Sequence, residues 1–266
     1  MNATLDHLSD ARQAGEAIAG RIAAILRTAD PNRELPGSAW TVAETAAHLA
    51  YTTIGLGIMA RGLAIPYGDG TREGLQEANA DGLEGYTERD LNVLADQLVA
   101  NTAMAFGEVL VQPPDRICPT PMGEVPVDGL AGYLLMHQSM HGAAIARAVG
   151  ARLPFEPADL ALMWPFIEHV LPDIYRPAFA PDLTGTFEMV MADGFHFAVT
   201  LDGQTARAER VPSRPVDCRI SGDPDWMFLI LIKVVSMRDA VAQGKVQLDG
   251  PRADLGYRLM DAFNMP

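Results

Sequence analysis

The spacing of apolar residues changes character once along this chain, near Pro154, and that change limits the fold more than any other feature. Before it, apolar residues recur every three to four positions, the period of a helix with one buried face. Leu5 to Arg27 carries Ala, Ile and Leu at this spacing and is stopped by Asp30-Pro31-Asn32. Trp40 to Gly62 repeats the pattern through Val42, Ala43, Ala46, Leu49, Ala50 and Ile54, with Ser38 as the expected N-cap. Thr71 to Gly85 reads as a polar, acidic, helical connection. Thr87-Glu88-Arg89-Asp90 signals the start of a helix carrying Leu91, Leu94, Leu98 and Met104, closed by Pro113-Pro114. Val127-Asp128 opens a last helix that runs to Val149, with Gly150 as its stop. Four main helices in about 150 residues predict a helical bundle.

Beyond Pro154 the texture is different. Trp164 to Tyr175 reads as a helical bridge, and strand-like segments follow at Thr184 to Met191, Phe195 to Leu201, Thr205 to Glu209 and Val216 to Ile220. Asp193-Gly194 and Asp202-Gly203 sit between them at hairpin positions. Two short helices, Trp226 to Val235 and Ser236 to Gln243, a strand at Lys245 to Leu248 and a closing helix over Ala253 to Phe263 complete the reading. The expected fold class is α+β in two domains: a four-helix bundle over 1–155 and an α+β domain over 160–266.

Composition narrows the function. The chain has 20 Lys and Arg against 34 Asp and Glu, a formal charge of −14, and no run of basic residues, so phosphate backbones and anionic membrane surfaces repel it. No nucleic-acid partner is expected. The apolar run Met227 to Val235 is too short to span a bilayer, and Met1 to Asp10 lacks a basic segment followed by an apolar one. The expectation is a cytoplasmic protein without membrane insertion. Cys118 and Cys218 lack a CxxC partner and any nucleophile motif, and no GxSxG elbow, Walker loop or HExxH is present.

Histidine carries the chemical information. His137 and His141 are four residues apart on one predicted helix, about 40° apart on its circumference, so both imidazoles point the same way. Leu134, Ala144, Ile145 and Ala148 share that face, so the pair points into the bundle. Two buried imidazoles cost free energy unless each finds a partner, and a shared metal ion is one such partner. His48 lies on another largely apolar helix. Three inward imidazoles from two helices leave one coordination position open, the plan of a catalytic metal site. Taken singly, an HxxxH pair or a lone His48 is more often structural. His7 and His169 have no comparable partner, and His196 lies in a predicted strand.

Two segments resemble a known family. Ala39 to Leu49, with Trp40-Thr41-Val42, Glu44 and His48-Leu49, resembles the opening of the second helix in DinB-like proteins, most closely the mycothiol-dependent maleylpyruvate isomerase branch. His137 to Gly150 resembles the fourth helix of that branch. The resemblance spans about residues 5 to 155 and implies a metal triad of His48, His137 and His141. Two positions depart from the branch: it has Glu where this chain has His137, and commonly Asp where this chain has Ala144. A neutral ligand in place of a carboxylate leaves the ion more positive. Ile220 to Asp223, the helices that follow and Gly244 to Pro251 resemble the sterol-carrier-protein-like domain that accompanies this bundle in some proteins.

The resemblance implies a metal-dependent enzyme that uses a low-molecular-weight thiol, mycothiol, for isomerisation or S-transfer on a small electrophilic substrate. The divalent metal is Zn by default, with Ni or Fe open. The residues do not fix which bases would bind a dicarboxylate substrate: Arg61, Arg147 and Arg152 are candidates, with plain surface charge the equal alternative for each. Two other classes stand beside this reading: a non-catalytic lipid or small-molecule binding protein, and a metal-hydroxide hydrolase.

Overall fold

A computed structural model describes residues 3–68, 72–192 and 194–264. Two compact units divide the chain, the first ending at Pro154 and the second beginning at Phe155. The fold is α+β.

The first unit contains α1 (Ala3–Leu26), α2 (Val42–Ala60), α3 (Arg72–Gly85), α4 (Leu91–Leu110), a hairpin of β1 (Ile117–Thr120) and β2 (Gly123–Pro126), and α5 (Val127–Ala148). Helices α1, α2, α4 and α5 pack on one another, and α3 lies against α2. Leu8, Ile18, Ile22, Leu49, Leu94, Leu98, Phe106 and Leu130 form the fully buried centre. The four main helices lie where apolar periodicity places them, but α2 starts later than expected. Ser38 is spent in the preceding turn, where its hydroxyl accepts from Trp40 N–H at 3.1 Å. Thr41 is the N-cap, in a reciprocal capping box: it accepts from Glu44 N–H at 3.3 Å while Glu44 Oε2 accepts from Thr41 N–H at 2.7 Å. Trp40 therefore stands outside the helix. At the far end of α5, Gly150 takes φ +69°, a left-handed stop that closes the helix where a side chain would be strained.

The β1–β2 hairpin was not expected. Its strands are four residues each and bury only Cys118 and Val125, so they carry no alternation long enough to read. Thr71, the start of the expected acidic helical connection, lies outside the described residues.

The second unit is built on a five-stranded sheet in the order β5-β4-β3-β6-β7, from β3 (Gly185–Met191), β4 (His196–Leu201), β5 (Ala206–Glu209), β6 (Cys218–Gly222) and β7 (Val246–Asp249). Only β3 and β6 run parallel; the remaining neighbours are antiparallel. Helices α6 (Pro157–Ile174), α7 (Pro224–Leu231) and α8 (Met237–Ala242) complete it. Helix α6 begins two turns before the expected Trp164, because its first proline falls in the first turn, where the missing N–H has no partner to lose. The closing segment Ala253–Ala262 is a 3₁₀ helix rather than an α-helix. Its buried residues, Gly256, Leu259 and Ala262, recur every three positions, matching the three-residue turn. The Asp202-Gly203 turn forms as expected, Asp202 Oδ1 accepting from Gln204 and Thr205 N–H. Asp193, of the other expected turn, lies outside the described residues. No described helix is long and apolar enough to cross a membrane.

Candidate metal centre

Helices α2 and α5 pack on each other and bring His48, His137 and His141 together. One ring nitrogen from each falls within 4.8 Å of the other two, and among the described residues these three are the group able to hold a metal ion. His48 Nε2 and His137 Nε2 face each other at 3.1 Å. The His141 ring lies 4.6 Å, centre to centre, from each of the other two. His48 and His137 are 2% and 7% exposed, and His141 is half-buried.

Burial holds all three imidazoles neutral. It pushes His48 and His137 well below the usual histidine range, helped by the neighbouring imidazoles, and lowers His141 to about 4. Neutral imidazole is the metal-binding form, so protons do not compete for the site near neutral pH. Three uncharged nitrogen donors suit a borderline divalent ion such as Zn²⁺. Two nitrogens 3.1 Å apart are within reach of a single ion, whose bonds to nitrogen are about 2 Å.

Aromatic side chains wall the site. The Trp40 ring lies 5.0 Å from His48 and stacks on His141 at 6.3 Å and 20°. Its position before the helix, set by the Thr41 cap, puts it there. Tyr133, one turn before His137, meets that imidazole edge-on at 5.9 Å. Tyr51 lies on the other side of His48, its hydroxyl 3.1 Å from His48 Nδ1. His137 Nδ1, Gln138 Oε1 and Ser139 Oγ, on three consecutive residues, are buried with no hydrogen-bond partner.

The other expected residues lie elsewhere or are already engaged. Arg61 forms a two-pronged ion pair with Glu108 at 2.6 and 3.0 Å, and Arg147 and Arg152 have partners of their own. His169 and His196 bond backbone carbonyls, of Pro165 and Gly194, in the second unit. His7 Nε2 is buried without a partner on α1. Cys118 and Cys218 are buried and unbridged, and burial pushes both thiols up to about 11. Trp40, Tyr51 and Tyr133 were missed as site residues, although Tyr51 and Tyr133 stand three and four positions from a predicted ligand, the spacing that shares a helix face.

No family profile and no curated protein matches the chain. Among solved structures, the mycothiol-dependent maleylpyruvate isomerase aligns over 94% of this chain and 96% of its own, at 15% identity and TM-score 0.51. A histidine-to-alanine mutant of that enzyme aligns over the same shares at 16% identity and TM-score 0.52. At this identity the likeness is one of fold. A stereoselective inverting sec-alkylsulfatase from Pseudomonas sp. aligns over 53% of this chain but only 25% of its own length, at 16% identity and TM-score 0.34, too low for a fold argument.

Proposed function

We propose that this chain is a metal-dependent enzyme that uses a low-molecular-weight thiol of the mycothiol kind for isomerisation or S-transfer on a small electrophile. The observation that carries the reading is the convergence of three neutral imidazoles from α2 and α5, two buried and one half-buried. The fold shared with the mycothiol-dependent isomerase adds the thiol. His48, His137 and His141 would hold one divalent ion, with Zn²⁺ the default. Such an ion, when bound, supplies the Lewis acidity that lowers the pKa of a thiol at its open position.

The chain's own residues bind and shield. Trp40 and the flanking tyrosines pack against the imidazoles and narrow the approach to them. The protein's two thiols are poor nucleophiles, since burial keeps them protonated at neutral pH. The reacting sulfur therefore comes from a cosubstrate. With Arg61 committed to Glu108, a dicarboxylate such as maleylpyruvate is one candidate substrate among several.

Steady-state turnover of a panel of electrophiles by metal-loaded protein, with and without added thiol, tests this. Turnover should rise with mycothiol and saturate, persist in Cys118→Ser and Cys218→Ser, and vanish in His48→Ala. Full turnover without thiol, once bound thiol has been excluded by mass spectrometry, overturns the thiol role and favours a hydrolase. A second reading, a small-molecule or lipid binder, would need a site such as the half-open cleft of about 330 Å³ in the second unit, where Ile230, Met237, Tyr257 and Met260 stand beside Lys233, Arg238, Arg258 and Asp261. A stoichiometric lipid in native mass spectra, lost on delipidation, together with no turnover, would favour it.

A further inference from the structure

Tyr51 has one hydroxyl hydrogen and three neighbours in hydrogen-bond range: His48 Nδ1 at 3.1 Å, the Asn79 carbonyl oxygen at 3.4 Å and the Tyr67 hydroxyl, whose own hydrogen goes to Asn79 Oδ1. The carbonyl can only accept. With the phenol hydrogen on Asn79, Tyr51 Oη becomes the acceptor for a proton on His48 Nδ1. His48 then carries its hydrogen on Nδ1 and turns a bare Nε2 lone pair toward His137 and His141. The bond made by one ring nitrogen decides which nitrogen is left for a metal.

The phenol is held in place by α3. An ideal Cβ at Gly82 would stand 2.5 Å from Tyr51 Oη and 2.7 Å from its Cζ, so any side chain there would drive the ring away. Gly82 gives the phenol its seat, and Asn79, three residues earlier, gives it its acceptor. Asn79 is steadied in turn by Tyr67, whose hydroxyl donates to its Oδ1 at 2.5 Å. None of α3 supplies a candidate ligand, yet its backbone reaches the trio through a single side chain.

We infer that Tyr51 is a positioning residue for the trio: seated on Gly82 and Asn79 of α3, its hydroxyl fixes His48 in the Nδ1–H tautomer, with Nε2 bare and facing the other imidazoles. The inference rests on the metal-site reading for its consequence but not for its test. Long-range ¹H–¹⁵N spectra of the metal-free protein read the tautomer directly. Wild type should show His48 protonated at Nδ1, and Tyr51→Phe should abolish that preference while His141 keeps its signals. Gly82→Ala, which leaves the phenol intact but moves it, should reproduce the change, and the double variant should add nothing further. Zn²⁺ affinity, measured by competition with a chelator, should fall about 10–100-fold in each.

The outcomes separate the two readings. A tautomer that responds in a protein binding no Zn²⁺ sinks the metal site and leaves the positioning role standing. Tight Zn²⁺ binding with His48 protonated at Nε2 in the metal-free wild type, or a tautomer untouched by Tyr51→Phe, overturns the positioning role and leaves the metal site standing. Additive effects of the two substitutions would reduce them to independent packing changes and likewise overturn it.

Discussion

The interiors of the two units handle polar groups differently. Among the described residues, the first unit buries Thr45, His48, Thr52, Thr53, Asn101, Thr102, His137, Gln138 and Ser139, whereas the second buries Asp159, Thr186 and Glu188. In the second unit each has a local answer: Asp159 accepts from Glu156 N–H, Thr186 bonds Thr200, and Glu188 pairs with Arg219 at 2.7 Å. In the first, the threonines bond back to their own helices, but His137, Gln138 and Ser139 each leave a buried atom unmatched. Tyr175 Oη is the corresponding orphan of the second unit, at the end of α6. A folded core normally leaves few such atoms, so a run of them on α5 next in sequence to an inward imidazole sets the first unit's interior apart.

The largest expected effect tests that contrast at its centre. His48→Ala and His141→Ala should each reduce bound metal from one ion per chain to a trace, with the far-ultraviolet dichroism unchanged. Unchanged metal content in both variants would dissolve the contrast. Next comes a purely apolar loss in the second unit. Phe197 is fully buried against Trp164, 5.2 Å between ring centres, and Phe197→Ala should lower unfolding free energy by about 3–5 kcal/mol without touching metal content.

Between about pH 6.5 and 4, acid should act first on the unit that holds the trio. The folded pKa values of the trio lie below the unfolded value of about 6.5, so above that pH neither state takes up protons and there is no penalty. As pH falls from about 6.5 toward about 4, the unfolded chain gains protons that the folded site refuses, and the metal-free unit loses stability. His141 alone contributes roughly 3 kcal/mol by the lower end of that window. Hydrogen exchange should show α2 and α5 losing protection over this range, and a loss confined to pH above 7 would reverse the assigned sign.

The smallest effects are the sharpest comparison. Exchanging a buried polar group for an apolar one of similar shape should have opposite signs in the two units. Gln138→Met removes an orphaned oxygen and should stabilise the metal-free protein by about 1 kcal/mol, because Thr102 keeps its bond to Leu98 O. Thr186→Val strips Thr200 of its partner and should destabilise by about 1 kcal/mol. Chemical denaturation distinguishes the two, and equal signs would refute the contrast.

What was legible in the residues follows the length over which a pattern repeats. Helices α2 and α5 span five to six turns each, enough for the apolar period to place both helices and to put His137 and His141 on one inward face. The β1–β2 hairpin offers one inward residue per strand, too few for a period. Helix α6 holds Pro165 and Pro172 inside it; Pro165 read as marking the start of the helix, so the two turns before it went unread. At the site, the three histidines were readable because their donors are side chains on periodic faces. Asn79 and Gly82 were not, because one contributes a backbone carbonyl and the other the absence of a side chain.

Two of the three imidazoles are neighbours in sequence, and the third lies 89 residues upstream of His137. A nascent α5 thus presents a two-nitrogen site as soon as one turn has formed, while the third donor arrives only when α2 docks after a long loop closure. On the proposed metal site, affinity would serve as a clock for assembly: a weak early phase would report the local helix, and the gain to full affinity the moment the bundle closes.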